Sequence, residues 1–163
     1  MILAALALAA QLANPGFERG LDGWQVEAHR GIRAYPADNR HDVVRQSAEG
    51  EAYVTMGWRA RSAAPPGAGG RLFQRIDARR YRGRTIRVSA QARAPGFAHR
   101  NGSLIVSAGA ANARALIAAS EHWRRHGVTV RVPRDARTIE IAFQVEGTQA
   151  ELAVDDVRLR ILR

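Results

Sequence analysis

Apolar residues recur at every second position in a succession of short segments. Ile86, Val88, Ala90 and Ala92 alternate with Arg87, Ser89, Gln91 and Arg93, while Ala52, Val54 and Met56 alternate with Tyr53, Thr55 and Gly57. Val128, Val130 and Val132 alternate with Thr129 and Arg131, and Ile139, Ile141, Phe143 and Val145 mark one further face. A period of two is the signature of a β-strand that buries one face and wets the other. Weaker versions occupy 24–28, 32–35, 72–76, 103–107 and 151–161, and Val43-Val44 centres an edge strand within 41–47. The segment 110–120 has helix-favouring Ala, Arg and Leu between strand neighbours, and is assigned as strand or irregular. Turn chemistry separates the segments: Asn14-Pro15-Gly16, Leu21-Asp22-Gly23, a loop over 62–70 containing Pro65-Pro66, Tyr81-Arg82-Gly83-Arg84, Ala94-Pro95-Gly96 and Pro133-Arg134-Asp135-Ala136. About eight to ten short strands with turns roughly every 8–12 residues predict an all-β sandwich of two antiparallel sheets.

Composition changes this picture little. The 163 residues make one domain of ordinary hydrophobic content, and the absence of cysteine excludes a disulfide framework and thiolate metal sites. The first ten residues are uninterrupted apolar and too short to span a bilayer, which takes about 20 residues. Ala7 and Ala9 have the A-x-A spacing of a cleavage site, so residues 1–13 read as a secretory signal lacking its usual positive n-region, with a cut as late as Ala13. Residues 14–163 are then one exported domain, secreted or periplasmic and not membrane-spanning.

All 25 basic residues are Arg, against 15 acidic ones. Exclusive Arg reads as compositional bias, because a chain shaped only for polyanions would also use Lys. Arg59, Arg61, Arg71, Arg75, Arg79, Arg80, Arg82, Arg84 and Arg87 nevertheless crowd the middle third, interleaved with Phe73 and Tyr81. No signature of specific nucleic-acid recognition accompanies them. Catalytic patterns are missing too. His122 and His126 are four apart without H-E-x-x-H or a third ligand, His29, His41 and His99 stand alone, and no G-x-S-x-G elbow occurs. Asp38, Asp42, Glu49 and Glu51 are scattered in turns rather than paired as a glycosidase needs. The sequence predicts a protein that is not an enzyme.

Four pieces carry a family resemblance. They are Asn14-Pro15-Gly16-Phe17-Glu18 followed by Gly23-Trp24; Phe73-Gln74-x-Ile76-Asp77 leading to Tyr81-x-Gly83; Trp123 before a strand and the Pro133 turn; and Val154-Asp155-Asp156-Val157-x-Leu159. In this order they resemble the jelly-roll carbohydrate-binding modules with the galactose-binding-like fold. The resemblance implies a non-catalytic domain that holds a poly- or oligosaccharide by aromatic stacking and polar contacts. It also implies a structural calcium ion between the first and last strands, with Glu18 and Asp156 as matching carboxylates and Asn14 nearby. Trp24, Phe17, Tyr81, Trp123 and Phe143 fall in the recurring pieces or on inward phases and are assigned to the core. Tyr53, which opposes Val54 and Met56, Trp58 at its strand's end, and Tyr35 before Pro36 are the candidate stacking rings. Gln91, Arg93, Gln144 and Glu146 project away from their core phases, and would line a shallow groove if their strands share a sheet. Two other readings stand beside this one: an Arg-driven adhesion domain for anionic cell-surface polymers, and a structural sandwich for protein contacts.

Overall fold

The computed structural model describes residues 11–19, 21–28, 43–45, 52–58, 69–94, 102–146 and 150–163. They form ten strands and no helix: β1 Gln25–Ala28, β2 Val43–Arg45, β3 Ala52–Trp58, β4 Gly69–Asp77, β5 Thr85–Ala94, β6 Gly102–Ala108, β7 Ala111–Ile117, β8 Ser120–Arg131, β9 Thr138–Glu146 and β10 Ala150–Ile161. Two five-stranded sheets result, ordered β1-β4-β9-β6-β7 and β2-β3-β10-β5-β8, and every pairing is antiparallel.

The alternating apolar residues meet between the sheets. Leu72, Leu104, Val106, Ile139, Ile141 and Phe143 from the first sheet pack on Ile86, Val88, Val128, Leu152 and Val154 from the second, all in one buried cluster. Each such side chain contributes about 1.5–3 kcal/mol by leaving water. The all-β expectation holds, and β2 lies at a sheet edge as predicted. The segment of uncertain type becomes β7, where half-buried Ala111, Ala113 and Ala115 alternate with exposed Asn112, Arg114 and Leu116. Pairing to β6 overrides its helix propensity. Strand β8 starts at Ser120, well before the valine alternation that marks it in the sequence. The predicted strand 32–35 lies outside the described residues, as does most of the 62–70 loop, whose end opens β4.

The opening segment is tied to the sandwich at both ends. Phe17 is fully buried with its ring 5.2 Å from that of Trp24, which in turn lies 6.1 Å from Phe143. Trp24 Nε1 donates to the Asn14 carbonyl at 3.2 Å, and Val157 N donates to the Pro15 carbonyl at 3.0 Å. Buried Gln74 grips the main chain of Ala13: its Oε1 accepts from Ala13 N at 2.7 Å and its Nε2 donates to Ala13 O at 3.1 Å. Leu12 also packs against the core. Leu12 and Ala13 are thus held against the sandwich.

One irregularity shapes the second sheet. Asp155 pairs with Gln91 and Arg158 with Ser89, so β10 carries one extra residue there. Asp156 adopts the left-handed conformation, at φ 47°. This β-bulge turns Val157 into the core and Asp156 out of it.

Candidate functional site

The two outer faces of the sandwich differ in how far their side chains satisfy one another. On the first sheet, Phe73 points outward yet is nearly buried. The guanidiniums of Arg71 and Arg75 lie 4.8 and 5.0 Å from its ring centroid. Both arginines bond Glu140, and Arg71 also reaches Glu27 at 3.5 Å. Arg114 Nε donates to Ser103 Oγ at 2.9 Å. This face covers its own aromatic ring and pairs most of its own charge.

The Arg-rich middle third is therefore not one stripe. Arg71 and Arg75 are paired on the first sheet, Arg79 pairs with Asp77 at 2.7 Å, and Arg82 Nε donates to the Ala136 carbonyl at 2.7 Å. Hydrogen bonds from Arg79 hold the Asp77 carboxyl below its ordinary range. Arg87 lies on the second sheet, and Arg59 and Arg61 fall outside the described residues.

The outer face of the second sheet is built by register. Asp155, Gln91 and Arg125 are aligned across β10, β5 and β8, and Ala153 stands opposite Arg93. Since Arg125 faces outward beside Gln91, so does Trp123, two residues before it on the same strand. Trp123 is half-buried, and the Arg93 guanidinium sits 5.0 Å from its ring centroid. The assignment of Trp123 to the core is thus corrected: it is an aromatic surface next to a cation. Gln91 Oε1, in the next row, is buried and accepts no hydrogen bond. A buried acceptor without a donor costs about 1–3 kcal/mol, which a ligand hydroxyl or a water molecule would recover.

A charged cluster anchors the row. Asp156 is bonded by Arg125 and by Arg158, the latter with Nε at 2.9 Å and Nη2 at 2.8 Å. Burial acts to raise the Asp156 pKa, but the hydrogen bonds from Arg158 and Arg125 outweigh it and hold the carboxyl below its ordinary range. Arg125 Nη1 also donates to the Asp156 carbonyl at 3.3 Å and to Ser89 Oγ at 3.4 Å.

The other sequence-nominated residues scatter. Gln91 and Arg93 are on β5 in the second sheet, whereas Gln144 and Glu146 are on β9 in the first. The groove that required a shared sheet does not form, because β5 and β9 belong to different sheets. By backbone register Tyr53 stands opposite Val44 and Trp58 opposite Ala150, both on β3 of the second sheet. Tyr35 lies outside the described residues. His122 and His126 share a strand, which separates them by about 13 Å. Burial, aided by Arg124, pushes the His126 pKa down.

Of the carboxylates nominated from the resemblance, Asp156 is engaged by two guanidiniums. Its neighbour Asp155 approaches the turn that carries Glu18. Gly16 separates the Glu18 and Asp155 carboxylates, and a Cβ built on it would lie 3.8 Å from Glu18 Oε1 and 4.0 Å from Asp155 Oδ1. Two carboxylates with neighbouring main-chain carbonyls are oxygen donors of the kind calcium takes. Among the described residues no group of three or more His, Cys, Asp or Glu converges.

No protein-family model matches the chain, and no curated protein matches it. Solved structures do. The sandwich is similar to a family 61 carbohydrate-binding module in complex with β-1,4-galactotriose, at TM-score 0.61 and 19% identity over 93% of this chain and 97% of that one. It is similar to a family 16 carbohydrate-binding module at TM-score 0.60 and 14% identity, covering 91% and 97% of the respective chains. The fold is the jelly-roll sandwich of carbohydrate-binding modules. The same jelly roll occurs within the enzymatically active domain of tailspike protein 4 of bacteriophage CBA120, at TM-score 0.69 and 15% identity over 94% of this chain. There the chain spans only 22% of the larger protein. These likenesses establish the jelly roll and leave the ligand to be argued from the residues.

Proposed function

We propose that this jelly roll is a non-catalytic carbohydrate-binding module whose ligand lies on the outer face of the second sheet. The observation that carries the proposal is the outward, half-buried Trp123 with the Arg93 guanidinium at its ring and the Gln91–Arg125 row beside it. A sugar has apolar C–H faces and hydroxyl edges. Trp123 offers the stacking surface, and Arg93 and Arg125 donate to ring or hydroxyl oxygens. Similar structures of this fold include a module solved with a galactotriose, which supports a β-linked hexose chain as the first ligand to try. Isothermal titration of the protein with β-1,4-galacto-oligosaccharides tests the reading. Binding that disappears in Trp123→Ala supports it; equal binding by Trp123→Ala moves the site elsewhere.

We further propose that Glu18 and Asp155, with main-chain carbonyls, hold a structural calcium ion that staples the opening segment to β10. Calcium at about 100 times its dissociation constant should stabilise the fold by roughly 2.7 kcal/mol. A thermal midpoint that rises with calcium, and does so far less in Asp155→Asn, is the expected result. An equal rise in both proteins would place the ion elsewhere.

Export is part of the same reading, with cleavage after Ala9 rather than after Ala13. A cut after Ala13 would remove Leu12 and Ala13 and leave the Gln74 amide without the chain it grips. The mature N-terminus is therefore expected at Ala10, as the intact mass of the exported protein would show. A mature chain beginning at Asn14 would contradict it.

A further inference from the structure

Beyond Gln91, toward the far end of the same face, the exposed charge is almost all of one sign. Arg87 and Arg160 are direct cross-strand partners, Arg158 faces Ser89, and Arg131 faces Thr85. All four arginines are exposed. Among the described residues, Arg87, Arg131 and Arg160 have no hydrogen-bond or ion-pair partner. The two carboxylates next to this row are already engaged: Asp156 by Arg125 and Arg158, and Asp155 by the Asp156 amide. Like charges directly opposite in an antiparallel pair are destabilising, so the Arg87–Arg160 row costs the free protein stability.

The arginine nearest the binding row is also positioned. A Cβ at Gly127 would lie 3.2 Å from Arg87 Nη2 and 3.3 Å from Ser89 Cβ. Arg87 Nη2 therefore reaches over Gly127, one row from its own partner Thr129 and one row short of Gln91 and Arg125. Glycine at this position leaves the space that the guanidinium fills. From Arg93 beside Trp123 to Arg87, the strand runs about 20 Å. Guanidinium groups thus follow an extended track that begins at the aromatic ring.

We propose that the ligand of this face is an acidic glycan, with its carboxylate or sulfate groups on Arg87 and Arg160 and a sugar ring on Trp123. Guanidinium matches both oxyanions with paired, charge-assisted hydrogen bonds. A neutral glycan would leave the like-charge row as it is. This inference rests on the binding-face reading and adds the charge class of the ligand.

The test is titration calorimetry with polygalacturonate, its fully methyl-esterified form, a sulfated galactan and a neutral galactan, each at low and high salt. Wild type, Arg87→Gln/Arg160→Gln and Trp123→Ala would be compared. Polygalacturonate or the sulfated galactan should bind tighter than its uncharged counterpart, and whichever binds identifies the anionic group. The double variant should lose about tenfold in that affinity at low salt, with a smaller loss at high salt. Its thermal midpoint should stay level or rise, since a repulsion has been removed. Neutral-galactan binding that needs Trp123 but ignores both arginines overturns the inference and leaves the binding face standing. Acid-glycan binding that needs the arginines but survives Trp123→Ala upholds the charge class and removes the stacking reading. No binding of any of the four glycans by wild type sinks both. Tighter binding to duplex DNA or phosphatidylglycerol vesicles than to polygalacturonate also overturns the acidic glycan.

Discussion

Trp123→Ala should abolish glycan binding and leave the domain folded. The ring lies on the outer face of β8, at the edge of its sheet, half-buried beneath Arg93 and outside the interior cluster. Truncating it removes no part of the packing between the sheets, so the thermal midpoint should move by only a few degrees, about 1 kcal/mol or less. Binding should suffer far more. A central aromatic anchor costs about 2 kcal/mol or more on truncation, which is roughly a 30-fold loss of affinity. Trp123→Phe keeps a stacking surface and should recover part of it. The informative result is the separation of the two readouts. If Trp123→Ala unfolds the protein, the residue is structural after all. If it folds and binds normally, the outer face of the second sheet is not the ligand site.

That tryptophan also marks where the sequence stopped being readable. Val128 and Val130 define the inward phase of β8, and counting back from them makes residue 123 outward. Residues 120–127 carry no apolar alternation of their own, so nothing local fixes which way Trp123 faces. The strands themselves were legible, since a two-residue period is local. Their division between two sheets was not. Whether β5 and β9 share a sheet depends on pairings between residues more than 25 apart, and nothing within either strand records its partner. Gln91 with Arg93 and Gln144 with Glu146 are therefore alike in sequence, yet their strands lie in different sheets. The Asp155-Asp156 pair failed for a different reason. In a regular strand neighbouring residues face opposite ways, but the choice of which one meets Glu18 is made by the bulge and by two distant arginines. Arginines hold the aspartate nominated from the resemblance, and the neighbouring Asp155 is the one that approaches the Gly16 turn. Charge was the least legible property. The middle-third arginines form a run in sequence, and pairing with Glu140, Glu27 and Asp77 removes three of them from any binding surface. The row that stays unpaired joins Arg87 to Arg160 from the far end of the chain.

Phe17→Ala should be among the most damaging single changes to stability, and the comparison with Phe17→Gly should invert the usual order. Phe17 is fully buried and starts the aromatic series that continues through Trp24 to Phe143. Removing a buried phenyl ring costs about 3–5 kcal/mol, a large part of a domain stability of roughly 5–15 kcal/mol. The loss should spread, since the Asn14 carbonyl bonded by Trp24 and the Pro15 carbonyl bonded by Val157 belong to the same turn. The backbone adds a second contribution. Phe17 has φ 56°, in the left-handed region, where a residue with a Cβ bears about 1–2 kcal/mol of strain and glycine bears none. Alanine loses the ring and keeps the strain, whereas glycine loses the ring and sheds it. Against that gain, glycine has more unfolded-state freedom to lose, worth about 0.5–1 kcal/mol. The relief is the larger quantity, so Phe17→Gly should be the more stable of the two by up to about 1 kcal/mol. Urea unfolding at constant m-value would measure the difference. A glycine variant clearly weaker than the alanine one would mean that the left-handed turn at Phe17 is not a source of strain.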